Sequence, residues 1–177
     1  MTTTLEQLFG ARTTTVVPGV VDPTTAADLR RRFEQAGYAR YGLLDRGSYD
    51  VLRDPAEPAL IGRLVELART QSGRALVATE ARVLRLRPGD YLLAHHDPPR
   101  DGLPLELVLD LSPSGVPGAE VHYRRRGQVF FRVPTTPGAL AIVERGPAIT
   151  CNHTYVSKLH ASAEVVRLML LLRDATA

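Results

Sequence analysis

The sequence predicts a mainly β fold with flanking helices: a jelly roll, or double-stranded β-helix, of about eight strands packed on two N-terminal helices. Two observations support this prediction. Residues 79–173 consist of short runs rich in Val, Leu, Tyr and Phe that alternate with turns containing Pro and Gly. Residues 1–78 instead contain two stretches in which apolar residues recur at helical spacing. We therefore expect a single domain over residues 1–177, with an entry region at about 1–78 and a jelly-roll core at about 79–173.

The two predicted helices are bounded by residues that start and stop helices. Asp22 and Pro23 supply a capping side chain and a suitable first residue for the first helix, and Gly37 follows its last turn. The second helix is predicted over residues 57–70, with Gly73 just beyond it. Because each helix is apolar on one side only, we expect both to pack against the outside of one sheet.

The strands are predicted from alternating and continuous apolar runs between turns. Pro88-Gly89 and Gly146-Pro147 are examples of the dipeptides that mark these turns. The predicted strands cover residues 79–87, 91–97, 105–111, 118–124, 127–133, 138–144, 148–158 and 164–173.

Composition limits the classes of function. Hydrophobic residues make up 44% of the chain, which is enough for a core, and a net charge of +3 does not by itself indicate a nucleic-acid partner. Cys151 is the only cysteine, so an internal disulfide is excluded and a reducing, cytoplasmic location is expected. No secretory signal is evident, and the apolar run at residues 165–172 contains Arg167 and is too short to span a bilayer.

Two metal-binding side chains stand at the end of the predicted strand 91–97. Side chains alternate between the faces of a strand, so His95 and Asp97 share one face and His96 points to the other. Tyr91, four residues before His95, is expected on the same strand face. An imidazole and a carboxylate spaced in this way can both reach one metal ion.

A third ligand is expected among the later histidines. His153 lies inside the predicted strand 148–158, whereas His122 lies near a strand end and His160 in a predicted turn. His153 is therefore the first choice, and His160 is the alternative. Two histidines and one carboxylate leave three positions of an octahedral ion open, which suits iron(II) and oxygen chemistry, whereas zinc favours a closed tetrahedral site.

Arg167 interrupts the last predicted strand, which is apolar on both faces and therefore expected to be buried. A buried guanidinium is costly unless an anion accompanies it. A ligand carboxylate is one candidate anion, and Glu164 or Asp174 is the alternative.

The order His95-x-Asp97, His153, Arg167 resembles the signature of iron(II)- and 2-oxoglutarate-dependent dioxygenases. Four short motifs resemble the prolyl-4-hydroxylase-like branch, and they lie at residues 17–23, 87–91, 118–121 and 137–140. The resemblance covers nearly the whole chain from about residue 16. It implies that His95, Asp97 and His153 bind iron(II), that 2-oxoglutarate and O2 are cosubstrates, and that Arg167 anchors the far carboxylate of 2-oxoglutarate.

The sequence departs from this family pattern at two positions. Residues 85–87 lack the tyrosine that the branch uses to contact 2-oxoglutarate, and Tyr91 is the candidate substitute. Met169 stands where some branches have a small hydroxyl residue two positions after the arginine. Asp97 is present, whereas halogenating relatives have a small residue there, so hydroxylation or desaturation is favoured.

The resemblance implies oxidation of a C–H bond in a small-molecule or amino-acid-like substrate, with release of succinate and CO2. Cys151 and Tyr155 are each two residues from His153, so they are expected on the same face of the strand and are candidate substrate contacts. A protein or peptide side-chain hydroxylase and a non-catalytic, cupin-like binding protein are alternatives. An AlkB-type nucleic-acid dealkylase is a further alternative, favoured by the spacing of Arg167 and Arg173 but disfavoured by the lack of tryptophan and of an aromatic-rich base-reading segment. The oligomeric state is not predicted.

Overall fold

The computed structural model describes residues 14–94 and 102–175, which contain two helices and eleven strands. The helices are α1 (Pro23–Ala36) and α2 (Pro58–Ser72). The strands are β1 (Thr15–Val17), β2 (Ala39–Leu43), β3 (Gly47–Arg53), β4 (Leu76–Leu86), β5 (Tyr91–Leu92), β6 (Leu105–Asp110), β7 (Val121–Arg125), β8 (Gln128–Val133), β9 (Leu140–Glu144), β10 (Ile149–His153) and β11 (Val165–Asp174). The predicted mainly β architecture with two helices is confirmed.

Both helices begin and end close to the predicted residues. The side chain of Asp22 accepts hydrogen bonds from the backbone N–H groups of Thr24 and Thr25, each at 2.9 Å, and so satisfies donors that the first turn leaves free. Gly73 ends α2 with a φ of 66°, a left-handed conformation that glycine adopts without strain. In the described parts of the chain, no helix is long and apolar enough to cross a membrane.

The strands form one antiparallel sheet that curls on itself. Their order is β1-β9-β6-β11-β4-β3-β5-β10-β7-β8, and β2 pairs with β3. All six residues of β6 are buried, because its two faces pack against different cores. Leu107 and Leu109 face the helices, together with Phe33 of α1, whereas Val108 packs with Tyr123 of β7. The second core therefore lies between the two parts of the sheet, inside the curl.

The described residues contain eleven strands rather than about eight, and each predicted strand shifts at one or both ends; β7, β10 and β5 are three examples. β7 starts at Val121, after a turn in which Gly118 has a φ of 74°. β10 ends at His153, five residues before the predicted end, although the N–H of Thr154 still donates to the carbonyl of Glu120 at 2.9 Å. β5 contains only Tyr91 and Leu92, and residues 95–97 of the predicted strand lie outside the described residues.

A buried carboxylate holds β5 in place. Asp90 accepts hydrogen bonds from Arg40 at 2.6 and 2.9 Å, from the hydroxyl of Ser48 at 2.8 Å and from the backbone N–H of Arg87 at 2.9 Å. Burial alone would raise the pKa of Asp90, but these donors hold the pKa below its usual value. The β2–β3 hairpin is thereby joined to the turn between β4 and β5.

Candidate active site

His153 occupies the end of β10 and faces the interior of the curled sheet. It pairs with Leu92 of β5 and Val121 of β7, and both of these residues are buried. Only 1% of His153 is exposed, and Cys151, two residues earlier on the same face, is equally buried. The strand thus places an imidazole inside the core rather than at its rim.

The two ring nitrogens of His153 have different surroundings. Nδ1 lies 3.1 Å from NH1 of Arg167. Nε2 is buried and has no hydrogen-bond partner among the described residues. Burial, and then the positive charge of Arg167, hold the pKa of His153 well below its usual value. The imidazole is therefore neutral at pH 7, as a metal ligand must be.

Arg167 lies beside this histidine on β11, between Leu84 of β4 and Asp110 of β6. Its NH2 group donates to the carbonyl of Ala119 at 2.7 Å and to the hydroxyl of Thr135 at 3.3 Å. Its Nε is buried without a partner among the described residues. Burial lowers the pKa of Arg167 from its ordinary value.

None of the described carboxylates forms a salt bridge with Arg167. Asp110, which is opposite it in register, bonds instead to the backbone N–H groups of Ser112 at 2.8 Å and Thr136 at 2.5 Å. Asp174, one of the two alternatives from the sequence, is paired with Arg74. A buried cation without a paired carboxylate is costly, so the surroundings of Arg167 favour an incoming anion.

A second polar group in the interior was not identified from the sequence. Tyr123, directly opposite Cys151 in register, donates its hydroxyl to Glu106 at 3.0 Å. Arg145 and Arg82 lie 3.4 and 3.9 Å from the two oxygens of the same carboxylate. Burial, together with the charge of Glu106, raises the pKa of Tyr123 well above its usual value. A charged residue within the apolar run Leu105–Asp110 was the available signal, of the same kind that identified Arg167.

The remaining candidate residues lie elsewhere or outside the described residues. His95 and Asp97 are in the undescribed segment 95–101. Tyr91 alternates with Leu92, the partner of His153, so its ring lies on the opposite face of β5 and is 6.4 Å from that of Tyr155. Tyr155 follows the end of β10 and is half exposed.

The two other histidines weighed as third ligand lie away from the interior. His122 binds the carboxylate of Glu120 at 2.7 Å, and the buried residues on either side of it, Val121 and Tyr123, face the core instead. His160 is exposed in a turn. Among the described histidines, His153 is the one inside the curled sheet, and its choice as third ligand stays a prediction.

Comparison with solved structures identifies the fold. A prolyl-4-hydroxylase from Pseudomonas putida matches with a TM-score of 0.71 at 17% identity, over 93% of this chain and 94% of that chain. A viral collagen prolyl hydroxylase from Paramecium Bursaria Chlorella virus-1, in complex with 2-oxoglutarate, matches with a TM-score of 0.71 at 13% identity, over 93% and 98%. The chain has the fold of the iron(II)- and 2-oxoglutarate-dependent oxygenases. The predicted resemblance to the prolyl-4-hydroxylase-like branch is confirmed at the level of the fold.

The same fold is shared with a non-haem, alpha-ketoglutarate-dependent epimerase, SnoN, from nogalamycin biosynthesis. It matches with a TM-score of 0.66 at 20% identity, over 93% of this chain and 79% of that chain. No protein-family model matches the chain, and no curated protein matches it. Proteins with different named activities therefore match the fold of this chain with similar TM-scores.

Proposed function

We propose that this chain is a non-haem iron(II)- and 2-oxoglutarate-dependent dioxygenase, a single oxygenase domain that hydroxylates or desaturates a C–H bond of a small-molecule or amino-acid-like substrate. The observation that supports this function best is the pair of buried side chains inside the curled sheet. His153 presents an unpartnered Nε2, and Arg167 beside it is a cation without a paired carboxylate among the described residues.

The donor set fits iron(II). His153 would bind through Nε2, and His95 and Asp97 would complete a set of two imidazoles and one carboxylate, which leaves three positions of an octahedral ion open. When bound, iron(II) with 2-oxoglutarate supplies O2-dependent oxidation, with succinate and CO2 as the products of the cosubstrate.

The protein's own side chains provide orientation and a dry interior. Arg167 would bind the far carboxylate of 2-oxoglutarate, because a buried guanidinium forms strong, directional bonds to carboxylates. Val108, Met169 and Cys151 are each at most 1% exposed and line the same core as His153 and Arg167. These side chains exclude water from the site, which strengthens the ionic bond to the cosubstrate.

The second candidate substrate is a protein or peptide side chain. Two apolar side chains close to Tyr91 of β5 are exposed, Leu44 and Tyr155, and the ring of Tyr155 lies 6.4 Å from that of Tyr91. The hydroxyl of Tyr91, on β5, lies 3.4 Å from the carbonyl of Leu44. Exposed apolar groups of this kind favour contact with a partner chain.

A metal titration of histidine variants tests the site. Mn(II), whose free-ion EPR signal disappears on binding, is expected to bind one ion per chain in the wild type and in His160→Ala. His153→Ala is expected to lose this binding while its circular dichroism stays unchanged. Stoichiometric Mn(II) binding by His153→Ala would exclude the proposed ligand.

A further inference from the structure

Two arginines lie side by side on neighbouring strands. Arg53 of β3 is directly opposite Arg82 of β4 in the antiparallel register, which places their Cβ atoms about 5 Å apart. Like charges directly opposite each other destabilise a sheet. Asp54, with a φ of 49°, donates its backbone N–H to the carbonyl of Ala81 at 2.9 Å. The backbone therefore holds this end of β3 against β4, although the two charges oppose the pairing.

Both arginine side chains have the orientation of the inner core. Val51 and Leu84 are paired two residues before Arg53 and two residues after Arg82, and both belong to the core inside the curl. Residues two apart on a strand share a face, so the arginines lie on this inner face and not on the face that packs against the helices. The NH2 group of Arg82 accordingly lies 3.9 Å from the carboxylate of Glu106.

The exposure of these charged side chains falls from the rim of the sheet to its interior. Arg53 is exposed, Arg82 is 16% exposed and Glu106 is fully buried. Glu106 accepts a hydrogen bond from Tyr123, which lies two residues, about 7 Å, along β7 from the partner of His153. Polar side chains therefore connect the rim to the surroundings of the candidate metal ligand.

Two stacked tyrosines flank the arginines. The rings of Tyr41 and Tyr49 are 4.8 Å apart, with an angle of 27° between their planes. The two residues are directly opposite in register and share the face of Val51. Burial raises the pKa of Tyr49, whereas the charges of Arg82 and Arg53 act in the opposite direction, so both guanidiniums lie within electrostatic range of this ring. A flat, largely apolar surface thus lies beside two cations.

We propose, on the basis of the function proposed above, that Arg53 and Arg82 bind the anionic group of a substrate that is a small organic carboxylate or phosphate. An oxyanion between two guanidiniums accepts charge-assisted hydrogen bonds from both and removes their mutual repulsion. No described carboxylate forms an ion pair with Arg53, so its donors can bind a ligand. The planar or apolar part of the molecule lies on Tyr41, and the end to be oxidised points into the interior.

The thermal stability of an Arg53 variant tests the first step of this inference. Arg53→Gln keeps a polar side chain but removes the charge opposite Arg82, so its Tm should rise by about 1–2 °C. Arg63→Gln removes an exposed arginine from α2, on the helical layer, and is the matched control with an unchanged Tm. A lower Tm for Arg53→Gln would show that Arg53 supports the fold and would overturn the inference.

Anion binding is the direct test. Benzoate and phenyl phosphate are titrated into 15N-labelled protein and followed by NMR chemical shifts, with neutral benzamide as the matched probe. We expect binding of an anionic probe by the wild type and by Arg63→Gln, and about tenfold weaker binding by Arg53→Gln. The anionic probe that binds more tightly shows whether the site takes a carboxylate or a phosphate. Equal binding of benzamide would show that the ring alone is recognised and would overturn the inference.

The remaining outcomes separate this inference from the proposed function. Anion binding that is unchanged in Arg53→Gln belongs to another cation, such as Arg167, and would overturn the inference. Absence of anion binding by the wild type would overturn it as well. Neither result affects the oxygenase assignment, which depends on binding of iron(II) and 2-oxoglutarate in a separate titration. Failure of that titration would overturn the proposed function, and with it the role of the anion as a substrate.

Discussion

The buried carboxylate of Asp90 gives a sharp prediction about the framework of the site. Asp90→Asn keeps one oxygen, which can replace either Oδ1, the acceptor for Ser48, or Oδ2, the acceptor for the backbone N–H of Arg87, but not both. Its new NH2 group, however, faces the guanidinium of Arg40, which donates two hydrogen bonds to the wild-type carboxylate at 2.6 and 2.9 Å. The substitution therefore replaces an ion pair with two donors that face each other.

The expected loss of stability follows from these contacts. Arg40 is half exposed, so solvent limits the lost ion pair to about 1 kcal/mol. An amide N–H group buried without an acceptor adds a further cost of about 1–2 kcal/mol. The free energy of unfolding should fall by about 2–3 kcal/mol, which corresponds to a decrease in Tm of about 5–10 °C for a chain of this length.

The pH dependence of the unfolding free energy gives a second, independent test of the role of Asp90. Hydrogen bonds from Arg40, Arg87 and Ser48 keep the pKa of folded Asp90 below its usual value, although burial opposes them. Its stabilisation is therefore present above the unfolded pKa of about 4 and is lost as the pH falls through the lower folded pKa. The difference between wild type and Asp90→Asn should shrink below about pH 4.

Urea unfolding between pH 3 and 7 measures both effects. Asp45→Asn is the matched control, because the Asp45 side chain is 80% exposed and its ion pair with Arg46 is long, at 4.0 Å. The free energy of unfolding of this variant should match that of the wild type. A loss below about 0.5 kcal/mol for Asp90→Asn at pH 7, or a difference that stays constant down to pH 3, would refute the reasoning.

Three further predictions concern the interior and one turn. Arg167→Ala should weaken 2-oxoglutarate binding to the iron-loaded protein by about a hundredfold without loss of iron, and calorimetric affinities that match the wild type would exclude its anchoring role. Because burial and a neighbouring carboxylate raise the pKa of Tyr123, the folded protein should lose stability above about pH 10, and Tyr123→Phe should make this loss less steep in alkaline thermal melts. Burial also raises the pKa values of Tyr38 and Tyr49, which contribute to the loss that remains. An equally steep alkaline loss in the variant would contradict the burial argument. Gly138→Ala should lower the free energy of unfolding by about 1–3 kcal/mol, because φ is 79° and a Cβ would lie 2.3 Å from the carbonyl oxygen of Val21. Gly42→Ala, where a Cβ would enter open space, serves as the control in urea unfolding. Equal stabilities of the two variants would show that the turn at Gly138 tolerates a side chain.

The elements that sequence patterns predicted well are those with a strong local signal. Helix α1 follows a capping Asp22 and ends before Gly37, and α2 ends before Gly73, as the sequence indicated. Strands β6 and β11 are buried on both faces and appear in the sequence as continuous apolar runs. By contrast, β2 is mostly exposed, so its residues show no apolar pattern that would set its bounds.

In the candidate site, too, some features could be predicted from the sequence and others could not. Burial of Arg167 and His153 could be inferred because each interrupts or lies within a strand that must be buried. The contact between them could not, since β10 and β11 are not paired and come together only through the curl of the sheet. Glu106 and Arg145, by contrast, approach each other because β6 pairs directly with β9, a pairing between segments far apart in sequence.

The central claim is tested most directly by an anaerobic titration with iron(II) followed by 2-oxoglutarate, monitored by visible absorption. The account predicts a metal-to-ligand charge-transfer band that saturates at one 2-oxoglutarate per chain in the wild type and is absent in His153→Ala. Iron binding without this band would contradict the cosubstrate and favour a cupin-like binding function. Failure of the wild type to bind iron would contradict the metal site itself.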